Sequence, residues 1–464
     1  MAFSYHQLVS GPGGLKEHIQ ASTWVVAVSG GLDSMCLLHA LVQLQLNYPC
    51  PSLRVIHINH GLQAQADRWQ FDVEQQCKDY GLECFSHKVV LCAKEQKRLG
   101  IEAAARNARY DVFKQYVQAG EVLLLGQHAD DQTETLFLRL LRGAGVAGLR
   151  AMPQQRSLGL AWLVRPLLYV RQTDLNDYAK TNYLTWCEDP SNQNSRFDRN
   201  YLRHQVIPLL RQRWPSLDQR IATVTDLMGD AQVLLDEVAA TDLMLMRGTT
   251  ESDGVSECLS CEKLKALSRV RRHNLLRYWL GGHHVPMPDR VAMQVIDREF
   301  LYSAVDGQPY LQLGDWCLRR DQGNLLLMRR LEQTDAKMVN WTCDMERHIF
   351  LHGSIVLPDG VLCVKKGAGV GLALAEGDCL ERRFRVGGER CKPLGRAHSQ
   401  SLKKLLQEAK VPAWERDLLP LFYVNEKLAM VADLWVNSDF ETVLGEPAWY
   451  WQKATKNKAF DCSD

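Results

Sequence analysis

Short apolar runs alternate with amphipathic stretches over the first third of the chain. The apolar runs are rich in β-branched and aliphatic residues, and between them apolar positions recur at helical spacing. The predicted strands are Trp24–Val28, Leu53–Ile58, Phe85–Leu91 and Val122–Leu125, and the predicted helices follow Ser34 and cover residues 62–80 and 102–117. This alternation is typical of an α/β fold with a doubly wound parallel sheet. Ligands of such sheets bind outside the carboxyl ends of the strands.

The pattern changes character further along the chain. A Gly-rich connector covers residues 142–159, a mostly helical region begins near residue 200, and the polar stretch 246–257 is typical of a surface loop. Residues 331–345 lack periodicity, and beyond them the runs SIVL and VLCVKK predict short strands beside one helix near 399–410. We therefore predict a doubly wound domain at 1–215, a mostly helical domain at 216–330 and a small α+β domain at 345–452.

The composition is that of an ordinary globular protein. The 464 residues are 46% hydrophobic and 23% charged, as in ordinary globular proteins, and the net charge is +1. Any nucleic-acid binding must therefore depend on local basic patches. Fourteen cysteines without regular spacing indicate reduced thiols in the cytoplasm. We see neither a signal peptide nor an apolar stretch of the ~20 residues that cross a bilayer, so we expect no membrane partner.

The stretch VVAVSGGLDSMCLL (25–38) has the features of an anion-binding loop. Gly30 and Gly31 allow close backbone approach to a ligand, Ser29 and Ser34 offer hydroxyls, and a following helix presents unpaired N–H groups. Ser34 is also placed to cap that helix. The loop lacks the lysine that serves β- and γ-phosphates in the common phosphate loop. Asp33 would repel an anion unless Mg²⁺ lay between them. The alternative is a Gly-rich turn without a ligand.

A second group of candidate residues lies in HADDQTET (128–135). On a helix that begins near Asp130, Asp131 and Glu134 are three positions apart and share a face. Two such carboxylates can bind magnesium or an amino group. The alternative is a solvated acidic first turn, which the helix dipole also favours.

These motifs resemble those of a known family. SGGLDS matches the S-G-G-x-D-S signature of the PP-loop ATP pyrophosphatases, which cleave ATP between the α- and β-phosphates and adenylate an oxygen of the substrate. Within that family, His128 with the R-G-x-G-x-x-G-L run, GIEAAARNARY (100–110), RPLL (165–168), EDPSN (188–192) and DRNYLR (198–203) resemble the tRNA(Ile)-lysidine synthetase subgroup. The C-terminal part resembles the last domain of that subgroup, and HHVPMPDR in the middle fits its longer form.

The resemblance implies a substrate, a reaction and roles for residues. The C2 oxygen of the wobble cytidine in a CAU anticodon would attack the α-phosphate of ATP, and the side-chain amine of free lysine would then displace AMP. The implied ATP-binding residues are Ser29, Gly30, Gly31, Leu32, Asp33, Ser34 and His128, with Asp33 also holding Mg²⁺. The implied catalytic residues are Asp33, Asp131, Glu134 and Arg199, and lysine binding falls to Asp131, Glu134, Arg106 and Arg109. Whether Asp131 and Glu134 hold lysine, hold magnesium or take a proton stays open.

Three basic stretches are candidates for binding tRNA. The C-terminal basic segment (residues 381–410) has nine Lys and Arg against three Glu, the arginine segment (residues 196–220) has six Arg against two Asp, and residues 269–279 carry four Arg and two aromatics. Phosphate attraction and base stacking suit an anticodon loop, so we expect the second and third domains to bind tRNA. The alternative for each is a solvated surface. The candidate residues are Arg272, Arg385, Arg390, Lys392, Lys403 and Lys404. Whether the chain acts as a homodimer stays open.

Two other functions compete with this interpretation. A tRNA thiolation enzyme would share the loop, but it would normally carry paired cysteines near the ATPase domain, where this chain has no C-x-x-C. A nucleotide-binding regulator without chemistry would need neither the acidic helix nor the basic C-terminal region. The C-x-x-C pair Cys258 and Cys261 lacks the second nearby pair that zinc prefers.

Overall fold

The computed structural model describes residues 3–11, 14–61, 63, 65–91, 96–97, 100–190, 196–248, 255–303, 307–329, 341–344, 354–357, 360–366, 371–375, 377–409, 411–417, 419–442 and 447–453. The chain forms two compact units, Met1–Glu237 and Val238–Asp464. No helix in the described part of the chain is both long and apolar enough to cross a membrane.

A six-stranded sheet is the centre of the first unit. Its strands are β1 (Thr23–Ala27), β2 (Ser52–Asn59), β3 (Glu83–Lys88), β4 (Val122–Leu125), β5 (Gln155–Leu158) and β6 (Ala161–Val164). The spatial order is β3-β2-β1-β4-β6-β5, and every pairing is parallel except that of β5 with β6. The chain reverses its direction of winding at β1, so the topological switch point lies between β1 and β4, where doubly wound folds bind ligands.

Helices cover both faces of this sheet. The loop helix (Leu32–Asn47) follows β1, and the acidic helix (Ala129–Leu141) follows β4. The other helices of the unit are Gln7–Ser10, Ala66–Asp79, Ile101–Tyr116, Val146–Leu149 and Gln172–Thr181, and Leu15–His18 is a 3₁₀ turn. A helical run from Asp198 to Arg213 is π-helical at Leu202–Val206. The last helix, Leu217–Met246, continues into the second unit. The predicted parallel α/β fold is confirmed.

Alternate residues of β1 explain why its sequence is apolar throughout. Trp24 and Val26 pack into one core with Leu37 and Leu41 of the loop helix. Val25 points to the opposite face and packs with Phe113 in a second core. A strand that is buried on both faces needs a continuous apolar run, which is why this element was predictable.

The predicted elements of this unit agree with the structure apart from their ends. The third strand begins two residues earlier than predicted and ends three residues earlier, and the second helix starts at Ala66. The Gly-rich connector contains β5, and β6 and the helix Gln172–Thr181 follow it; the sequence pattern predicted none of these elements. Both strands are only four residues long, too short for periodicity to show.

The second unit contains antiparallel sheets. A four-stranded sheet in the order β7-β10-β9-β8 packs with the helices Cys261–Ala266, Arg269–Gly282 and Arg290–Val295, the last of which continues as a π-helix to Leu301. Its strands are β7 (Val255–Ser260), β8 (Tyr310–Leu313), β9 (Trp316–Asp321) and β10 (Asn324–Arg329). The middle region is helical as expected, but β7 begins inside the stretch 246–257 that was predicted to be a loop.

The rest of this unit is α+β, as predicted. Two further sheets have the orders β11-β14-β17-β18-β19 and β12-β13-β20, and β15 pairs with β16. The strands are β11 (Trp341–Asp344), β12 (Ser354–Leu357), β13 (Gly360–Lys366), β14 (Cys379–Arg383), β15 (Arg390–Cys391), β16 (Gln400–Ser401), β17 (Leu421–Val424), β18 (Lys427–Val431), β19 (Trp435–Val436) and β20 (Pro447–Lys453). The helices are Leu402–Glu408 and Ala413–Arg416, and Ser438–Phe440 is a 3₁₀ turn. The aperiodic stretch 331–345 lies outside the described residues except for 341–344.

Candidate active site

The loop after β1 is closed by its two serines. The Ser34 hydroxyl accepts a hydrogen bond from the Ser29 backbone N–H (3.2 Å) and donates one to the Gly31 carbonyl (2.9 Å). The loop helix begins at Leu32 with Gly31 at its N-cap, and no side chain caps it. Ser34 therefore folds the loop and does not cap the helix, contrary to the sequence-based suggestion. The uncapped first turn leaves its backbone N–H groups available for an anion.

Gly30 adopts a conformation that favours glycine. Its φ is +87°, and a Cβ at this position would lie 3.3 Å from the Val73 side chain. The Gly30 carbonyl accepts a hydrogen bond from the Cys187 N–H (2.8 Å). The glycine at this position is thus required by both backbone angle and space.

Gly126, at the end of β4, brings the two candidate motifs together. A Cβ on Gly126 would lie 3.1 Å from the Asp33 carbonyl carbon and 3.1 Å from the Ser34 Cα. A side chain at this position would push the backbone after β4 away from the first turn of the loop helix. The sequence analysis did not identify Gly126, although its position directly after a buried strand was a usable signal.

His128 connects the two motifs chemically. It is 1% exposed and caps the acidic helix, where its Nδ1 accepts the Asp130 N–H at 3.2 Å. Its Nε2 lies 3.4 Å from Asp33 Oδ2 and 3.6 Å from Asp131 Oδ2. Since the cap needs an unprotonated Nδ1, the ring proton sits on Nε2 and faces these two carboxylates.

The carboxylates around His128 make it a strong base. Burial on its own lowers the pKa of His128, but Asp131, Asp130 and Asp33 outweigh burial and raise that pKa well above the ordinary value. A second proton would go to Nδ1, which would exchange the helix cap for the Asp130 carboxylate 3.6 Å away. The protonated ring therefore pairs with the surrounding carboxylates, whereas the neutral ring caps the acidic helix.

Asp33 has an oxygen that fits a metal ion. Its side chain is one-third exposed, yet its Oδ1 is buried and has no hydrogen-bond partner among the described residues. A buried carboxylate oxygen without a donor is costly unless a cation reaches it, and carboxylate together with phosphate oxygens is a usual environment for magnesium. In the described part of the chain, no three His, Cys, Asp or Glu residues are placed to hold a metal among themselves. Asp33 therefore fits a Mg²⁺ that phosphate oxygens also bind.

Glu134 is enclosed by two arginines. Its side chain is 1% exposed, and Arg199 Nε donates to Oε2 at 2.7 Å while Arg203 Nε donates to Oε1 at 2.5 Å. Asp131 lies beside this group, with Oδ1 3.4 Å from Arg203 Nη2 and 3.8 Å from Arg199 Nη2. The shared face that the sequence predicted for Asp131 and Glu134 is therefore present. Both oxygens of Glu134 are engaged by arginine, whereas Asp131 Oδ2 faces His128.

A second group of ion pairs holds Asp130 in the first turn of the acidic helix. Arg211 Nη2 donates to Asp130 Oδ1 at 2.5 Å and to Asp218 Oδ1 at 2.8 Å, and the Gln172 N–H donates to Asp130 Oδ2. Burial would raise the pKa of Asp130, but His128, the Gln172 N–H and Arg211 hold it well below the ordinary value. Asp130 therefore stays ionised and fixes the N-terminus of the acidic helix.

A cavity of about 420 Å³ opens at the switch point. Its lining includes Ser29, Gly31, Asp33 and Ser34 of the loop. The remaining wall comes from β2, the Ala66–Asp79 helix, the Ile101–Tyr116 helix and loop residues. Its lining includes Ile58, His60, Ala66, Trp69, Arg106, Arg109, Tyr110, Gln127 and Asp189. The predicted residues Arg106 and Arg109 thus lie at the cavity, whose described lining does not include Asp131, Glu134 or Arg199.

Arg109 contacts a histidine of this wall. Its Nη2 lies 3.2 Å from His60 Nε2. Burial together with the Arg109 and His57 charges lowers the pKa of His60 to about 4. His60 is therefore neutral near pH 7, and the Arg109 charge is not balanced by it. Of the EDPSN motif, Glu188, Asp189 and Pro190 are described, and the other two residues lie outside the described residues.

The arginine segment is not an exposed basic patch. Arg199, Arg203 and Arg211 all pair with carboxylates of the acidic helix. The net charge of +4 counted along the sequence is therefore largely neutralised by residues some seventy positions away. The contribution of Arg203 was missed, although it lies in the quoted DRNYLR motif.

The prediction that Arg272 binds RNA disagrees with the structure. Arg272 is 4% exposed, its Nε donates to Asp297 Oδ1 at 2.8 Å, and its Nη1 donates to the Leu267 carbonyl at 3.0 Å. The side chain holds two helices of the second unit together and cannot reach a phosphate without breaking a buried ion pair.

The C-terminal candidates differ in their surroundings. Arg385 is 19% exposed and pairs with Asp417 at 3.3 Å, and Lys404 lies 3.9 Å from Glu408. Arg390 and Lys403 are exposed and Lys392 is half-buried, and no carboxylate of the described residues lies within 4 Å of these three cations. Arg390 donates instead to the Ser399 carbonyl at 2.6 Å. These three residues keep an unneutralised charge.

The cysteines of the described part of the chain are unbridged. Ten of the fourteen cysteines have described side chains, and these ten are free thiols. Cys258 and Cys261 are both buried, and burial raises the pKa of Cys261 to about 11. Such thiols are poor metal ligands and poor nucleophiles.

Comparison with protein families supplies an independent description of the chain. Residues 6–210 match a family model described as a PP-loop domain. Residues 259–326 match the TilS substrate binding domain, and residues 380–452 match the TilS substrate C-terminal domain.

Curated relatives match most of the chain. A tRNA(Ile)-lysidine synthase of Coxiella burnetii is 38% identical over 430 residues, which are 92% of this chain and 92% of the relative. The enzyme of the same name from Pseudomonas putida is 41% identical and covers 90% of this chain and 93% of its own length. That of Serratia proteamaculans is 39% identical, with 92% and 95% covered.

Proposed function

The chain belongs to the tRNA(Ile)-lysidine synthase family, and on that premise we propose that it converts the wobble cytidine of an isoleucine tRNA with a CAU anticodon to lysidine. As a PP-loop enzyme it uses ATP. Its second substrate is free L-lysine. The modified base pairs with A in place of G, so the tRNA reads AUA and accepts isoleucine. The reaction takes place in the cytoplasm.

The observation that carries this proposal is the meeting of the anion loop with the acidic helix. Asp33 Oδ2 lies 3.4 Å from His128 Nε2, and His128 lies beside Asp131 and caps the helix that carries Glu134. A loop for phosphates and a carboxylate–arginine group for a charged amino acid thus share one edge of the sheet. A regulator that only bound a nucleotide would have no use for the second group.

In the first step the cytidine C2 oxygen attacks the α-phosphorus of ATP, and the bond to pyrophosphate breaks. The uncapped first turn of the loop helix binds the leaving pyrophosphate through backbone N–H groups. Asp33 is the residue that holds Mg²⁺, and the ion supplies charge neutralisation for the phosphates. Arg199 and Arg203, which Glu134 and Asp131 orient, add cationic charge beside the reacting phosphate.

In the second step the lysine side-chain amine attacks C2, and AMP leaves with the C2 oxygen. The ammonium group must first lose a proton. Asp131 is the acceptor, since its Oδ2 faces His128 beside the anion loop. Asp131 Oδ2 is also the oxygen that is not bound to arginine, so it holds an amino group of lysine. Arg106 and Arg109 bind the lysine carboxylate or a phosphate.

The other domains bind the tRNA. The regions 216–330 and 345–452 supply the wider surface that a tRNA body needs, with Arg390, Lys392 and Lys403 as phosphate contacts and Arg385 and Lys404 as weaker ones. The catalytic domain spans 1–215. The chain acts either as a monomer or as a homodimer, and gel filtration of the purified protein distinguishes these states.

The test uses Asp33→Ala and Asp131→Asn in the full-length protein. Asp33→Ala should lower AMP formation at least about 10³-fold, because charge neutralisation by a metal contributes several kcal/mol to the barrier, while tRNA affinity stays within about twofold. Near-normal AMP formation by this variant would reject the assignment.

Asp131→Asn should raise the lysine concentration needed for half-maximal rate more than the ATP concentration. The opposite pattern, a loss of ATP affinity with unchanged lysine dependence, would assign Asp131 to magnesium. Pyrophosphate release with tRNA, measured with and without lysine, separates lysidine formation from thiolation and from simple nucleotide binding.

A further inference from the structure

A group of arginines beside the cavity includes Arg106 and four others that have no role in the reaction described above. The arginine cluster consists of Arg106, Arg139, Arg150, Arg156 and Arg165, which come from three different elements and the connector between them. Arg106 is exposed, Arg139, Arg150 and Arg156 are half-buried, and Arg165 is 2% exposed. Because these residues are spread over sixty positions, no window of the sequence reveals them as a basic patch.

Tyr110 is the centre of the cluster. The guanidinium groups of Arg106 and Arg156 lie 5.2 Å and 4.9 Å from the centroid of its ring. Arg165 also interacts electrostatically with Tyr110. An aromatic ring that stacks with arginine keeps guanidinium groups close together without neutralising them.

The remaining contacts of the cluster are neutral as well. Arg165 donates to the Pro153 carbonyl at 2.6 Å and to the Gln127 side chain, and Arg139 donates to the Gly148 and Ala151 carbonyls. Within the described ranges, no carboxylate lies within 4 Å of any of the five guanidinium groups. The cluster differs in this respect from Arg199, Arg203 and Arg211, because each of those arginines is bound to a buried carboxylate.

The cluster repels itself. Arg156 and Arg106 act with burial to lower the pKa of Arg165 to about 10, and Arg150 and Arg106 act with burial in the same direction on Arg139. Holding like charges together costs free energy in the unliganded protein, and a polyanion that binds there relieves this cost.

The position of the cluster indicates which polyanion it meets. Arg106 and Tyr110 line the cavity, and Gln127, which accepts from Arg165, is adjacent to His128 in the chain. Arg139, Arg150 and Arg156 do not line the cavity and extend the positive charge away from it. The phosphates of an ATP molecule inside the cavity would not neutralise these outer arginines. The phosphates of a nucleic-acid strand that enters from outside would neutralise them.

We propose that the arginine cluster binds the backbone phosphates of the RNA strand next to the target cytidine and so holds the anticodon loop over the cavity. This inference rests on the proposed function. Guanidinium groups suit phosphate oxygens, and Tyr110 keeps them in place before the RNA arrives.

The test uses the double variant Arg150→Gln/Arg156→Gln, which spares the buried Arg165 and the carbonyl contacts of Arg139. The matched control is Lys114→Gln, which removes a cation from the Ile101–Tyr116 helix whose charge is already paired with Asp111 at 3.7 Å. For wild type and both variants, tRNA affinity is measured at several salt concentrations, together with ATP affinity in the absence of tRNA and the thermal unfolding midpoint.

The double variant should bind tRNA about 10-fold more weakly at moderate salt, and the slope of log affinity against log salt should fall by about 2, one for each removed cation. ATP affinity should match that of Lys114→Gln, and the unfolding midpoint should be no lower than that of this control. Unchanged tRNA affinity and salt slope, or a loss confined to ATP affinity, would overturn the inference. Failure of the wild-type protein itself to form lysidine would instead reject the proposed function.

Discussion

Two basic regions that look alike in the sequence keep different amounts of their charge unpaired in the structure. The arginine segment and the C-terminal basic segment carry net charges of +4 and +6 over similar lengths. In the first, Arg199, Arg203 and Arg211 bind buried carboxylates of the acidic helix. In the second, Arg390 and Lys403 are exposed, and among the described residues no carboxylate lies within 4 Å of either.

The difference teaches how to interpret a local excess of charge. A count along the chain sees only neighbours in sequence, whereas the carboxylates that neutralise the arginine segment come from the helix after β4. The arginine segment is thus largely neutralised by the acidic helix, whereas Arg390, Lys392 and Lys403 of the C-terminal basic segment keep their charge. Variants that remove one partner from each region test this distinction.

The largest effect is expected from breaking the buried ion pairs. Glu134→Ala leaves Arg199 and Arg203 without their shared carboxylate, so the free energy of unfolding of the first unit should fall by about 3–5 kcal/mol. Glu408→Ala removes the partner of Arg396 and Lys404, but these groups are at least one-third exposed, so its effect should stay below about 1 kcal/mol. Chemical denaturation of both variants measures the difference, and equal losses would show that the two regions are alike.

A smaller effect is expected on tRNA affinity when the C-terminal region is removed. A chain that ends near residue 345 should bind tRNA about 10- to 100-fold more weakly, with a shallower dependence on salt, because its phosphate contacts are lost. ATP affinity should be unchanged, since the candidate nucleotide residues all lie before residue 210. Equal tRNA affinity and salt slope for the full and shortened chains would mean that the C-terminal basic segment is only solvated.

The smallest effect concerns acid stability of the first unit. Asp130 in the unfolded chain takes up a proton near its ordinary pKa of 3.8, whereas the folded protein keeps it ionised. Below about pH 4 the unfolded state therefore binds more protons, and the stability that Asp130 contributes is lost as the pH falls, by up to about 1.4 kcal/mol per pH unit.

The Asp130→Asn variant, although less stable at pH 7, should consequently lose less stability than wild type between pH 5 and pH 3. Asp111→Asn removes an exposed carboxylate of the same unit and should keep the wild-type dependence on pH. Denaturant unfolding at a series of pH values measures this, and parallel curves for wild type and Asp130→Asn would contradict the role given to Asp130.

The sequence predicted the fold of the first unit because its central strands are apolar on both faces, as Trp24 and Val25 illustrate. It also predicted the loop and the carboxylates Asp131 and Glu134, since both lie within short motifs. It did not predict the partners of these carboxylates. Arg203 lies 69 positions after Glu134, and the π-helical stretch at Leu202–Val206 that helps to orient it has no periodicity signal.

The sequence also did not reveal which glycine is needed for close packing or which arginine is buried. Gly126 is required because two backbones pass closely, which depends on the packing of β4 against the loop helix and not on any local pattern. Arg272 was assigned to RNA because its neighbours are basic, but Asp297 from another helix binds it in the core. In both units, the sequence alone did not predict which charged residues pair across long distances in the chain.

The most direct test of the account follows the lysine nitrogen. Full-length protein is incubated with ATP, isoleucine tRNA carrying a CAU anticodon and lysine labelled with ¹⁵N at the side-chain amine, and the tRNA is then digested to nucleosides for mass spectrometry. The account predicts that the wobble nucleoside gains one lysine with the ¹⁵N bonded to the base, and that AMP and pyrophosphate form in equal amounts. An unmodified or sulfur-containing wobble nucleoside, with ATP consumed, would contradict it.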